Sequence, residues 1–559
     1  MRINLRSLLI IAFVFSGAAA LIYEITWIRP LQFVFGSTVY TISIIFAAFM
    51  GGLALGSLII SKYIDKLKNL PKTYALFEIG IGIYGVLLLS IFNLLPGIYN
   101  SLYFLHTNFY LFEFVQFLIV FLVLLIPTTL MGATFPVIAK FYTKEKIGKA
   151  IGEVYSANNV GAIIGSFAAG FILIPLIGIK ESIIFAGSIN MLIGSIIILK
   201  SKSFEENRDK IFIITSVLLF LILAYIGNYS IQQMHSGGFY RTLEIEKDLG
   251  PVIYYNEGLY ATVSVRELFG KGKALFINGK GQGSTGIFDL RVNFMLAYLP
   301  ILLKPDTKDV LVIGLGTGTT SGQLAQSVNV KTIEIESAVL EGSKYFSTFN
   351  LNVLENPNHT LIIDDGRNWL LKNEEKYDVI IPEHSDPWQS FSTALFSKEF
   401  LELASEDLDE NGLYVQWVPI YQMSVKDFKN FYKTFTSVFP NVVVFANIKP
   451  DEDTPVRFET SELIFVGSKN KINISEELIN ENYNKLPEIS KQQLNLIRLS
   501  SGSEIYHLFV FKSEQMKGYA DDAKIITDDN LLLEFSTAKR VLNQGPKEVI
   551  NDIERFVSE

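Results

Sequence analysis

Apolar positions along the chain fall into two regimes. Residues 7–28, 38–61, 74–95, 111–139, 150–176, 182–199 and 211–228 are seven almost uninterrupted apolar runs. Each is close to the about 20 residues that a helix needs to cross roughly 30 Å of hydrocarbon. From residue 309 the rhythm shortens. DVLVIGLG, VKTIEIE, HTLIIDD, YDVIIPE and GLYVQWV are brief apolar runs closed by polar tips, with helically spaced stretches such as SAVLEGSKYFSTF and SKEFLELASEDL between them. Strands alternating with helices predict a parallel sheet covered on both faces. Ahead of it, YYNEGLYATVSVRELFGKGKALFINGKGQ alternates and turns like a small β-hairpin region. The pattern predicts three parts: a membrane domain of about seven helices over 1–229, a hairpin subdomain over 230–300, and an α/β, Rossmann-type domain over 301–559.

Charge adds direction to the first part. Arg2, Arg6, Lys62, Lys66, Lys68, Lys72, Lys140, Lys144, Lys146, Lys149, Lys200, Lys202, Arg208 and Lys210 lie on one alternating set of connections, against Arg29 and Lys180 on the other. The positive-inside rule places the N-terminus in the cytoplasm, and seven spans would then carry the rest of the chain to the opposite side. Arg2 and Arg6 before a run ending in SGAAA look like a secretory signal. The run continues through Leu21–Tyr23, which suits a retained helix. Gly52–Gly56 and Gly161–Gly165 have the spacing that lets helices approach closely. Glu24, Glu78, Glu113 and Glu153 lie in or beside apolar segments, where a carboxylate is a functional-site candidate, with a place at an interface or a bond to a neighbouring helix as the plainer reading.

Composition excludes several classes. Of 559 residues 49% are hydrophobic and 19% charged, and the apolar excess is confined to the first part. A net charge of −8 without a basic stripe argues against a nucleic-acid binder. The absence of cysteine removes disulfides, thiolate metal sites and cysteine nucleophiles.

In a parallel sheet ligands bind beyond the carboxyl ends of the strands, so the tips carry the candidate chemistry. The first tip is Gly314-Leu315-Gly316-Thr317-Gly318, whose glycines permit a tight turn and close approach of a ligand. The second holds Glu334 and Glu336, about 20 residues on, where an acidic side chain can accept ribose hydroxyl protons. The third holds Asp364, Asp365 and Gly366, and the fourth Glu383, His384, Ser385 and Asp386. Each has a plainer reading: the glycines as packing, Glu336 as solvent-facing, Asp364 or Asp365 as a helix cap. Their joint occurrence at successive tips favours one crevice rich in carboxylates, suited to a cationic ligand.

These residues, together with SGAAALIYEITW, STVYTISIIFAAFMGGLALGS, DDGRNWL, EHSDPW, GLYVQWVPIYQM and ITDDNLLLEF, resemble the polyamine aminopropyltransferase (spermidine synthase) family, and the whole chain resembles its membrane-fused branch. That family binds decarboxylated S-adenosylmethionine on a methyltransferase-like sheet and passes its aminopropyl group to putrescine, giving spermidine. The resemblance implies no tightly bound cofactor and no metal. It implies Gly314, Gly316, Gly318, Glu334, Asp365 and Gly366 on the nucleoside, and Ser385 and Asp386 at the acceptor amine. Glu383 stands where the family has its catalytic aspartate. A carboxylate is needed there because an amine must lose a proton to attack carbon beside a sulfonium. The polyamine end departs from the pattern: Thr317 replaces an aspartate that meets the donor's amine, Tyr298 a histidine and Ala261 a glutamine. An S-adenosylmethionine-dependent methyltransferase, or a non-catalytic nucleoside- or polyamine-binding domain on a membrane transporter or sensor, are the alternative functions. The expected partners are a small-molecule amine and the lipid bilayer, and the sequence is compatible with a homodimer.

Overall fold

The computed structural model describes residues 4–143, 147–201, 205–227, 249–270, 272–383, 386–390, 392–448, 460–541 and 545–558. The chain divides into two compact units, 1–36, 40–245 and 257–259 in the first and 37–39, 246–256 and 260–559 in the second. The hairpin strands from 260 onward therefore group with the α/β unit.

The first unit consists of α1 (Leu5–Phe35), α2 (Val39–Tyr63), α3 (Leu70–Phe92), the short α4 (Leu95–Ser101), α5 (Phe109–Tyr142), α6 (Ile147–Ala168), α7 (Ile174–Lys200) and α8 (Glu206–Ile226). A π-helical turn, Ala169–Leu173, joins α6 to α7, so among the described residues six continuous helices are long and apolar enough to cross a membrane. Gly178 interrupts the 54-residue run at φ 87°, ψ 171°. The ends of the helices show what happens there. Arg6 donates to the Tyr142 carbonyl, Lys140 to Asp65, Asn69 to Ser201, and Lys72 pairs with Asp209 at 2.8 Å. These contacts gather the start of α1, the α2–α3 connection, the end of α5, the end of α7 and the start of α8 at one face. The run leaves that face with α6 and returns to it with α7, so it folds back at Gly178. The bundle is traversed seven times. α5 runs unbroken through Pro127 and Pro136, with no re-entrant segment.

This unit is apolar outside and buries a few polar side chains within an apolar interior. Leu122, Ile163, Leu176, Leu218 and Tyr225 are more than half exposed. Glu78 is wholly buried, its carboxylate accepting from the Ser16 hydroxyl and the Asn190 amide at 2.6 Å each. Glu24 is also buried, whereas Glu153 is exposed beside Lys149. The two glycine pairs make close contacts: a Cβ on Gly161 would lie 1.9 Å from the Val14 carbonyl oxygen, and one on Gly56 1.9 Å from that of Thr129.

The second unit holds two sheets. β1 (Leu249–Glu257), β2 (Thr262–Leu268), β3 (Gly272–Ile277) and β4 (Lys280–Ser284) form a four-stranded meander. The larger sheet is built from β5 (Asp309–Ile313), β6 (Asn329–Glu334), β7 (His359–Ile363), β8 (Tyr377–Pro382), β9 (Leu408–Pro419), β10 (Asn441–Ile448), β11 (Thr460–Ser468) and β12 (Phe509–Lys512). Its order is β12-β10-β11-β9-β8-β5-β6-β7. Alternate residues of one strand enter opposite cores: Val310 and Val312 pack with Phe294 and Leu302, while Leu311 packs with Phe428 and Phe465. Both faces are thus covered, as the near-continuous apolar runs require.

The expectation of a parallel sheet needs correction. β7, β6, β5, β8 and β9 are parallel, but β11 runs antiparallel to β9, and β10 to both β11 and β12. β10 skips one place and β11 fills the gap from the other direction. A buried apolar run reads the same in either direction, so the periodicity did not separate these strands.

Candidate active site

Strand order reverses at β5, whose neighbours are β6 and β8, and a crevice opens at the carboxyl ends of such a pair. Backbone bonds tie the tips together: Gly314 N–H donates to the Ile333 carbonyl and Glu383 N–H to that of Ile313. Gly314 has φ +99°, and a Cβ there would lie 2.6 Å from the Glu383 carbonyl oxygen. Gly316 (φ +53°) and Gly318 (φ +75°) also occupy the left-handed region, so the loop conformation is one that side chains resist.

Glu334 sits beneath this loop, buried, with Oε2 accepting the Leu315 N–H and Oε1 the Glu336 N–H, both at 2.8 Å. Burial raises its carboxyl above the ordinary range, and these backbone donors oppose the rise. Glu334 therefore shapes the glycine loop, and a carboxylate has lone pairs beyond those that the two N–H groups use. Glu336 is not solvent-facing. It is buried, accepts the N–H groups of Tyr260 and Ala261, and caps the helix Ser337–Ser343. Asp365 caps the helix Gly366–Lys372 by accepting from Asn368 N–H at 2.8 Å. At Gly366 a Cβ would meet Ile313 Cγ2 at 2.2 Å, so glycine is needed where this helix crosses the end of β5. Ile335 and Ile363 are exposed at the tips of β6 and β7, an apolar complement to these polar groups.

At the other side of the crevice, burial pushes the Glu383 carboxyl up to about 7, opposed by the Thr320 hydroxyl and reinforced by the Glu334 charge. Glu383 Oε1 is buried with no hydrogen-bond partner among the described residues. A carboxyl so poised changes protonation near neutrality, which general-base work requires. Asp386 is wholly buried, accepts the Tyr421 hydroxyl at 2.6 Å and forms an ion pair with Lys280. Lys280 is itself buried, and its ammonium lies 5.9 Å from the Trp417 ring centroid. Asp289 and Glu462 belong to the same electrostatic cluster. Burial raises both, Glu462 to about 7, with Ser284 and Lys280 opposing at Asp289 and Asn447 at Glu462.

The remaining predicted positions are dispersed. Thr317 is buried and shares a 2.8 Å hydrogen bond with Thr319, with β4 passing over it at Gly283. Tyr298 is a core residue whose hydroxyl donates to Gln323, and Ala261 is buried in the β1–β2 connection. His384 and Ser385 lie outside the described residues. Lys280, Asp289, Glu462 and Tyr421 were not singled out from sequence. One signal existed for Lys280: Asn278-Gly279 is a two-residue hairpin turn with φ 49° and 77°, which fixes the register of the residue that follows. Glu462 had none, because it comes from an antiparallel strand remote in sequence. A cleft of about 400 Å³ lined by Asp309, Asn329, Lys331 and Glu375 lies at the amino ends of the strands, away from this chemistry.

Comparison with known proteins converges on one family. The spermine/spermidine synthase domain matches residues 290–452. The chain is 24% identical to a polyamine aminopropyltransferase of Corynebacterium efficiens over 73% of its own length and 76% of that protein's. It is 31% identical to a polyamine aminopropyltransferase of Thermococcus kodakarensis over 34% of its own length and 67% of that protein's. A structure of spermidine synthase from Thermotoga maritima is similar at 23% identity and a TM-score of 0.36, covering 44% of this chain and 88% of that one.

Proposed function

Because the chain belongs to the polyamine aminopropyltransferase family, we propose that it transfers the aminopropyl group of decarboxylated S-adenosylmethionine to an amine. The observation that carries this reading is the pairing of a glycine loop braced by Glu334 with the carboxyl of Glu383, one strand away on β8. The nucleoside lies on the Gly314–Gly318 loop, with its ribose at Glu334 and its base toward Asp365 and Gly366. The acceptor amine lies between Glu383 and Asp386. Glu383 takes the proton as nitrogen attacks the carbon next to the sulfonium. The C–S bond breaks, and methylthioadenosine leaves with the electron pair. Putrescine is the family's acceptor and the first to be tried. A methyltransferase is the second reading, supported by Thr317, whose neutral hydroxyl puts no charge beside the donor's tail. The test is calorimetry of the full chain with methylthioadenosine, then mass spectrometry of products from decarboxylated or intact S-adenosylmethionine with a panel of amines. Failure to bind the nucleoside would leave a non-catalytic domain as the better description.

The helical unit is read as the membrane anchor of this enzyme. Its outward Leu, Ile and Phe side chains and inward Glu78 suit a solvent of lipid. The face that gathers Arg6, Lys72 and Lys140 is the cytoplasmic one.

A further inference from the structure

The acceptor side of the crevice already contains a positive charge. Lys280 follows the Asn278-Gly279 turn, and the Ile277–Lys280 pairing of β3 with β4 directs its side chain onto Asp386. Both members of this ion pair are buried, at 4% and 0% side-chain exposure. Tyr421 holds the other carboxylate oxygen at 2.6 Å, so the geometry of Asp386 is set from two sides. Trp417 offers a ring face to the same ammonium. Asp386 is the carboxylate that the proposed function gives to an incoming amine, and in this chain a lysine on its own hairpin neutralises it.

We propose that Lys280 is a specificity-determining residue that makes the acceptor a singly charged amine and disfavours a diamine dication. The inference rests on the aminopropyltransferase reading above. A dication entering this pocket has to bring its second ammonium beside that of Lys280, or displace Lys280 from Asp386. Like charges at close range in a site shielded from water repel strongly, and breaking a buried ion pair is costly. A monoamine of the same length needs neither step. Its reacting nitrogen approaches Glu383 unprotonated, and its alkyl chain meets Trp417 and the backbone of β4. Of the other buried carboxyls around the crevice, Glu383 and Glu462 are held up at about 7 and add only part of a negative charge near neutrality. Asp289 and Glu334 are raised by burial as well, and Asp289 is already opposed by the Lys280 ammonium.

The experiment compares putrescine with n-butylamine, which keeps the four-carbon chain and lacks one charge, using full-length protein and decarboxylated S-adenosylmethionine. The expected wild-type ratio of kcat/KM for putrescine over butylamine is below about 10. Lys280→Met should raise that ratio by about 10- to 100-fold, mainly through the KM for putrescine, with methylthioadenosine affinity unchanged. Lys280→Arg keeps the charge and should keep the wild-type preference. A wild-type preference for putrescine above about 100-fold, or an unchanged ratio in a folded Lys280→Met protein, overturns the proposal. Should Lys280→Met not fold, calorimetry on the wild type with methylthioadenosine bound decides it: putrescine binding about 100-fold tighter than butylamine is the overturning result. Transfer with a strong diamine preference removes only the role of Lys280. Failure to bind methylthioadenosine removes the aminopropyltransferase reading, and this inference with it.

Discussion

At the scale of single residues, two carboxylates at neighbouring strand tips have different surroundings, and the proposed function gives them different work. Glu334 is bonded to two backbone N–H groups, while Glu383 Oε1 is buried with no partner among the described residues. Glu334→Ala leaves the Leu315 and Glu336 donors unpaired and removes a charge-assisted contact to the ligand. Its affinity for methylthioadenosine should fall by about tenfold or more, equivalent to about 1.5–3 kcal/mol, measurable by calorimetry. Unchanged affinity would mean that the nucleoside lies elsewhere. Glu383→Gln keeps size and nucleoside binding but cannot accept a proton, so turnover should drop by about 10²–10⁴-fold. Glu383 must be ionised to act, and its carboxyl is raised to about 7. The rate should therefore climb as pH passes upward through 7 and level off above it. A flat profile between pH 6 and 8 would point to another base.

At the scale of elements, what the sequence disclosed depended on whether a pattern was local. The apolar runs located all the parallel strands, and the tips of β5, β6 and β8 proved to be neighbours as their spacing implied. Asp365 caps a helix, which the residues just after it foreshadowed, whereas Glu336, whose plainer reading was solvent-facing, is a buried helix cap. Lys280 and Glu462 reach the crevice through the β3–β4 hairpin and an antiparallel strand, and neither pairing is written in a short window of sequence. The structure adds a packing constraint of the same non-local kind at Gly322. A Cβ there would lie 2.0 Å from the Asn350 carbonyl oxygen, where backbone meets backbone. Gly322→Ala should destabilise the protein by at least about 1–3 kcal/mol. Thermal unfolding followed by near-UV circular dichroism checks this, and an unshifted midpoint would show that the two segments can separate without loss.

At the scale of the whole molecule, the fold-back at Gly178 makes seven traversals, so α8 ends at the face opposite Arg6. Since the chain has no cysteine, Lys68→Cys and Glu410→Cys can each be introduced singly and labelled in intact cells with an impermeant maleimide. Reaction at position 410 but not at 68 is the result expected from the charge pattern and the odd number of crossings. It would require the S-adenosyl donor to be available outside the cytoplasm. Protection of both positions would return the α/β unit to the compartment where that donor is made and cancel one crossing. The glycine contacts of the bundle bear on its mechanics. Gly161 and Gly165 set α6 against the backbone of α1, and Gly56 and Gly132 do the same for α2 and α5, with no side chain between at those four points to act as a bearing, while Gly52 makes room for the Thr128 side chain. Pairs in such contact cannot slide or roll without backbone collision, so each moves as a single stiff bar. Any rearrangement of the bundle must then be taken up between the two bars, or along the α6–α7 run where the π-helical turn and Gly178 already relax the helix.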